Sequence, residues 1–165
     1  MKRKRVFTNL EDKSEMVKID ARSMKVVARW KLAPCEQPSA LAMDRANHRL
    51  FAGCRNHVMA VVDADRGKVV TSAPIGDHVD AAVFEVETKQ VFLSNGDGTG
   101  NVFHEDSPDK VSAVQTIQTY AGAKTMALDP KTHRLFLSAA ERVETAGKKG
   151  GAVKPGSFGV LVVGK

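Results

Sequence analysis

At 165 residues, 42% of them hydrophobic and 27% charged, the chain is long enough to bury a core and too apolar to be disordered. Its net charge of +6 points toward nucleic acid, but eight basic residues account for it: Lys2, Arg3, Lys4 and Arg5 at the start, and Lys148, Lys149, Lys154 and Lys165 near the end. The other 17 basic residues face 19 acidic ones, which excludes a basic face that reads nucleic-acid sequence and leaves only weak, salt-sensitive binding by the opening tetrapeptide.

Taken in chain order, the basic opening runs into Val6, Phe7 and Thr8 with no apolar h-region, so no signal peptide is expected, and no membrane span follows. Short runs rich in Val, Ile, Leu and Phe come next, bounded by Gly, Asn, Asp and Pro: 5–7, 16–20, 25–30, 40–43, 49–52, 58–62 and 68–72. Later runs fall at 125–128, 134–138 and 158–163. None has a helical period, so the chain is read as all-β. Cys35 falls in a loop and Cys54 in a strand; two cysteines exclude a disulfide framework and a zinc site, and leave a single bridge open.

The strands repeat. Residues 44–51, 85–92 and 129–136 align, each with an acidic residue seven positions before a Phe and a Leu or Val just before that Phe. Residues 5–7 repeat the end of the pattern, so Phe7, Phe51, Phe92 and Phe136 stand 44, 41 and 44 apart. Met16 to Asp20 likewise matches Met59 to Asp63 at a spacing of 43. Four short antiparallel strands per repeat of this length is the signature of a β-propeller blade. Blades stack face to face, so each needs a large apolar residue at the same place, and burying each Phe would stabilise by roughly 1.5–3 kcal/mol. The acidic residue suits the turn that follows it, and His48 and His133, at the same place in two repeats, read as turn residues and not as a catalytic pair.

The fold class expected is therefore β-propeller blades, about four imperfect four-stranded repeats forming an open arc or partial propeller. One domain, 1–165, holds blades at about 5–33, 38–75, 79–119 and 123–164, with a long loop at 141–156. The pattern Asp-x4-Arg-Leu-Phe, then Val58 to Asp63, then Gly67 to Val70, resembles the YVTN-type repeats of the YncE-like β-propeller proteins over residues 5–140. The resemblance implies a ring, usually of seven blades, in a periplasmic or secreted protein. Here the first copy starts at a blade's second strand and the last lacks its outer strand. The tally of three, four, four and three strands reads as the C-terminal part of a longer propeller, with open faces that invite self-association.

Candidate sites are few. Asn95 to Asn101 is Gly-rich but lacks the Lys-Ser/Thr ending and the helix of a phosphate loop, so it reads as a strand connection. Ser157 lacks the Gly-x-Ser-x-Gly elbow, and the histidines have no metal-ligand spacing. No catalytic residue, metal ligand or cofactor motif is identified. Five positions before the aligned acidic residues stand Ser39, Asp80 and Lys124. Each opens the inner strand of its blade, so together with His78 they are expected at one mouth of the central channel, in contact with a small molecule or protein. The expected function is a binding or scaffolding module; the alternative is a lactonase-like propeller hydrolase, which would need at least three acidic, His or Asn residues converging at that mouth.

Overall fold

The computed structural model describes residues 4–143 and 152–164. The central eight residues of the expected 141–156 loop lie outside them, as do Lys2, Arg3, Lys148, Lys149 and Lys165. Four antiparallel sheets follow one another along the chain, with no α-helix among the described residues. The first contains β1 (Arg5–Leu10), β2 (Glu15–Asp20) and β3 (Lys25–Lys31). The second runs β4 (Pro38–Asp44), β5 (Arg49–Cys54), β6 (Val58–Asp63) and β7 (Lys68–Pro74). The third runs β8 (Val79–Glu85), β9 (Gln90–Asn95), β10 (Thr99–Ser107) and β11 (Lys110–Gln118). The fourth pairs β12 (Lys124–Asp129), β13 (Arg134–Ala139) and β16 (Gly159–Val163), while β14 (Arg142–Val143) and β15 (Ala152–Val153) form a separate short ribbon. No helix among the described residues is long and apolar enough to cross a membrane.

Local chemistry sets the turns. Asp44 accepts hydrogen bonds from the N–H groups of Ala46 and Asn47, and Asp129 does the same for Lys131 while also accepting from the Thr132 hydroxyl. In the third sheet Glu85 accepts from Thr88 Oγ1. Each turn closes on a residue in the left-handed region: His48 at φ 53°, Lys89 at 52° and His133 at 57°. The repeated histidines are thus turn residues. Asp20 and Asp63 organise the turns into β3 and β7 in the same way. The second of these ends on Gly67, at φ 71°, where any Cβ would run into the ring of Trp30.

Because side chains alternate across a strand, neighbouring Leu and Phe in the motif serve opposite faces. Phe51 points forward with Ala42, Met59 and Val61 into one core layer, against Val79, Phe84, Val91, Leu93 and Phe103 of the third sheet. Phe51 and Phe84 stack with centroids 5.4 Å apart. Leu50 points backward with Ala52, Cys54 and Val62 onto Met16, Phe7 and Trp30. Phe92 and Val83 meet Leu135, Leu137, Met126 and Leu161 in the third layer. Each sheet thus presents its Phe to the sheet that follows and its Leu or Val to the sheet before, with β4, β8 and β12 lying against one another.

Among the described residues, none covers the outer faces of the two terminal sheets. Phe136, Val160 and Val162, the counterparts of Phe51, Met59 and Val61, are 36%, 54% and 50% exposed, where all three counterparts are fully buried. Val6 and Val26 occupy the places of Leu50 and Val69 and are about half exposed.

Candidate functional site

The inner strands β4, β8 and β12 all begin at the same end of the sheets, and the residues expected at a channel mouth sit there. Ser39 donates from Oγ to the Val79 carbonyl at 2.7 Å. Asp80 accepts from the Thr125 N–H at 2.8 Å, and its other oxygen lies 3.9 Å from Lys124 Nζ. These positions therefore tie each inner strand to the next: second sheet to third through Ser39, third to fourth through Asp80. His78, in the left-handed region at φ 56°, lies 3.0 Å from Asp77 Oδ2 with its ring largely in solvent. Ser39 and Asp80 are half-buried, while His78 and Lys124 keep exposed ends.

A second group at this end was not visible in the sequence. The Asn95 to Asn101 segment is a turn between β9 and β10, as its lack of a phosphate-loop ending suggested, but it also grips the connection between β7 and β8. Asp97 accepts from the N–H of Asp77 and from both the N–H and the hydroxyl of Thr99. Burial pushes the Asp97 carboxyl up, yet these donors hold it below the ordinary carboxylate value. Asn95, fully buried, donates to Thr99 Oγ1 and to Asn101 Oδ1, which also takes the Gly76 N–H. Gly76 is required: a Cβ there would come within 2.6 Å of Asn95 Nδ2. Two buried oxygens here, Asn95 Oδ1 and Thr119 Oγ1, have no hydrogen-bond partner. The signal was the density of Asn, Asp and Thr in one turn, but their partners lie 20 to 25 residues away.

The corresponding place in the second sheet carries a disulfide. Cys35 and Cys54, both buried, are bonded with Cα atoms 5.6 Å apart, so the bridge left open by the sequence is present. Pro38 pairs with Cys54 as Val79 pairs with Asn95, so Cys35 corresponds to Gly76 and Cys54 to Asn95.

At the opposite end, buried carboxyls bridge the sheets. Glu105, 2% exposed, lies against Asp44, and Asn47 donates to it at 3.4 Å. Burial and the neighbouring Asp44 push Glu105 up to about 7. Between the third and fourth sheets, His133 Nδ1 lies 2.6 Å from the buried Glu85, which raises the imidazole above its ordinary value. Among the described residues, no three His, Cys, Asp or Glu side chains are arranged to hold a metal ion.

No family model and no curated protein matches this sequence. Solved structures do. The Kuenenia stuttgartiensis hydrazine synthase superposes with a TM-score of 0.72 at 19% identity over 87% of this chain. A chain of the mitotic checkpoint complex does so with a TM-score of 0.67 at 17% identity over 78%. Both contain β-propellers, and this chain spans 40% of the length of each matched chain. Four serial antiparallel sheets, layered through a repeated Phe and superposing on such structures, make this a chain of β-propeller blades.

Proposed function

We propose that the chain is a non-catalytic binding and scaffolding module of the YncE-like type, acting through the uncovered faces of its terminal blades. The observation that carries this reading is the contrast between buried and exposed copies of one interface. Phe136, Val160 and Val162 repeat a surface that is fully buried in the second blade, at Phe51, Met59 and Val61, and that packs against the next sheet, half-buried, at Phe7 and Phe92. Val6 and Val26 repeat the surface that such a blade meets. The two open faces are therefore the two halves of one inter-blade contact, and a second copy docking head to tail satisfies both. Two chains would bring eight blades together, within the range in which propeller rings close.

The remaining features fit this reading. Ser39 and Asp80 spend their polar atoms between blades. A small ligand at that end would meet His78 and Lys124 first, so these two remain the proposed contact residues there. The Cys35–Cys54 bond suits an oxidising compartment, in keeping with the exported proteins that the repeat resembles.

The test is complementation between two variants, Phe136→Asp and Val6→Asp, each placing a charge in an otherwise apolar contact at a cost of about 3 kcal/mol or more. Each alone should run as a single chain in light scattering. Mixed, they retain one intact pair of faces and should form a two-chain species. Wild-type association by either variant alone, or no recovery in the mixture, would contradict a head-to-tail contact.

A further inference from the structure

Of the five asparagines in the chain, one, Asn95, is followed by glycine. Asparagine loses its side-chain amide most readily before glycine, which has no side chain to keep its backbone nitrogen away from the amide carbon. The third blade nevertheless demands both residues. A Cβ at Gly96 would lie 2.9 Å from that of His78. Asn95 is fully buried, and the network around it has a fixed direction. Thr99 gives its hydroxyl hydrogen to Asp97, so toward Asn95 it can only accept, and it takes one hydrogen of Nδ2 at 3.0 Å. Asn101 Oδ1 takes the other at 2.7 Å, together with the Gly76 N–H at 2.8 Å. Position 95 must therefore donate twice from one short side chain, and among short side chains asparagine alone carries an NH2 group.

We propose that Asn95–Gly96 is a covalent modification site gated by the fold: when the third blade opens at this end the dipeptide deamidates, and the product can no longer close the network. In the step, the Gly96 backbone nitrogen bonds to Asn95 Cγ, the Cγ–Nδ2 bond breaks, and the proton lost from Gly96 N leaves with the amide nitrogen as ammonia. Water then opens the five-membered imide on either side, giving aspartate, or isoaspartate with the main chain routed through Cγ. In the folded blade neither reacting group is free. The Gly96 N–H is held by the His78 carbonyl at 2.9 Å, and both Nδ2 hydrogens are engaged. Reaction is thus confined to the open fraction of molecules.

The product fails on hydrogen-bond polarity. Asn95 Oδ1 already lacks a hydrogen-bond partner among the described residues. Oxygen in place of Nδ2 sets a second acceptor against Thr99 Oγ1 and Asn101 Oδ1, and puts a buried charge one hydroxyl away from the Asp97 carboxylate. Turning the Asn101 amide would supply a donor, but would set another N–H against that of Gly76. Gly76 and Asp77 belong to the connection that carries His78, so the modification loosens that connection whatever the module binds.

The test holds the wild-type chain at pH 8 in buffer and in urea, and follows the mass of the digest peptide containing residue 95. Exchange of ammonia for water raises that mass, whereas isomerisation of the neighbouring Asp97–Gly98 does not. The unfolded chain should accumulate the heavier peptide about a hundredfold faster than the folded chain, or more. After urea is removed from a half-converted sample, the compact fraction isolated by size should be depleted in the heavier peptide about tenfold. The Asn95→Asp chain, which carries the charge on a normal main chain, should exchange amide hydrogens faster than the wild type at 75–80 and 96–99, and at the wild-type rate at 58–63. Equal rates in buffer and urea, equal abundance of the heavier peptide before and after refolding, or wild-type exchange in Asn95→Asp would overturn the inference.

Discussion

Among single residues, the carboxyl of Glu105 has the widest consequence. It occupies the place that Ala64 fills in the second blade, since Glu105 donates its backbone N–H to the Lys89 carbonyl as Ala64 does to that of His48. There it faces Asp44 and Asn47 of the preceding blade, and one of its oxygens finds no partner. Raised from 4.5 to about 7, it binds a proton in the folded state over a range where the unfolded chain does not. Its contribution is therefore fully present below about pH 4.5 and lost as pH rises through 7. His133, raised by Glu85, works in the same direction, supporting the fold below 6.5 and ceasing to do so as pH rises through its folded value. Asp20 acts oppositely: the Ser23 N–H and Arg5 lower it to about 2, so its contribution is lost only as pH falls from 3.8 through 2. Stability to urea should thus be greater at pH 5 than at pH 8. Glu105→Gln, which keeps the shape and cannot ionise, should flatten that difference and exceed the wild type at pH 8 by on the order of 1–3 kcal/mol. Equal pH 5-to-8 differences in the two proteins would show that Glu105 does not set the slope.

At the scale of elements, the second and third blades fasten the connection entering the inner strand to the end of the second strand and its turn, each with different chemistry. The second blade uses the Cys35–Cys54 bond, and the third uses Asn95, Asp97 and Asn101 around Gly76. The bond spans 19 residues, and a loop of that size corresponds to about 3 kcal/mol of chain entropy. Reductant should lower the unfolding midpoint of the wild type and leave that of Cys35→Ala/Cys54→Ala unchanged; an equal midpoint for the wild type with and without reductant would contradict a stabilising bridge.

This difference also marks what could be read in advance. The Phe period, the acid-led turns and the turn placement of His48 and His133 were legible because burial and turn geometry impose similar residue types at corresponding places. The partners of Ser39, Asp80 and Asn95 were not, because they lie on neighbouring elements and differ from blade to blade. The bridge stayed open for the same reason: its geometry is created by the packing of a loop on a strand end. The Asp44–Glu105 contact joins two blades, and nothing in either local sequence announces it.

Considered as a whole, the molecule is graded from its middle outward. Phe51, Leu50, Val61, Val62, Val91 and Leu93 are almost fully buried in the second and third blades, while the β1 counterparts are half-buried or exposed and those on β13 alternate between buried and exposed. Each core layer needs two sheets, so a terminal sheet satisfies one face only. The exposed faces are apolar, repeat-related and of opposite sense, and the proposed association would use the same packing that joins the blades internally.

Molar mass by light scattering, followed on dilution of the wild-type chain, tests that claim most directly. The account predicts a species of twice the 17.8 kDa of one chain that persists as the concentration falls. A single-chain mass at every concentration would contradict it, since the exposed Phe136 and Val6 faces would then be at home in water.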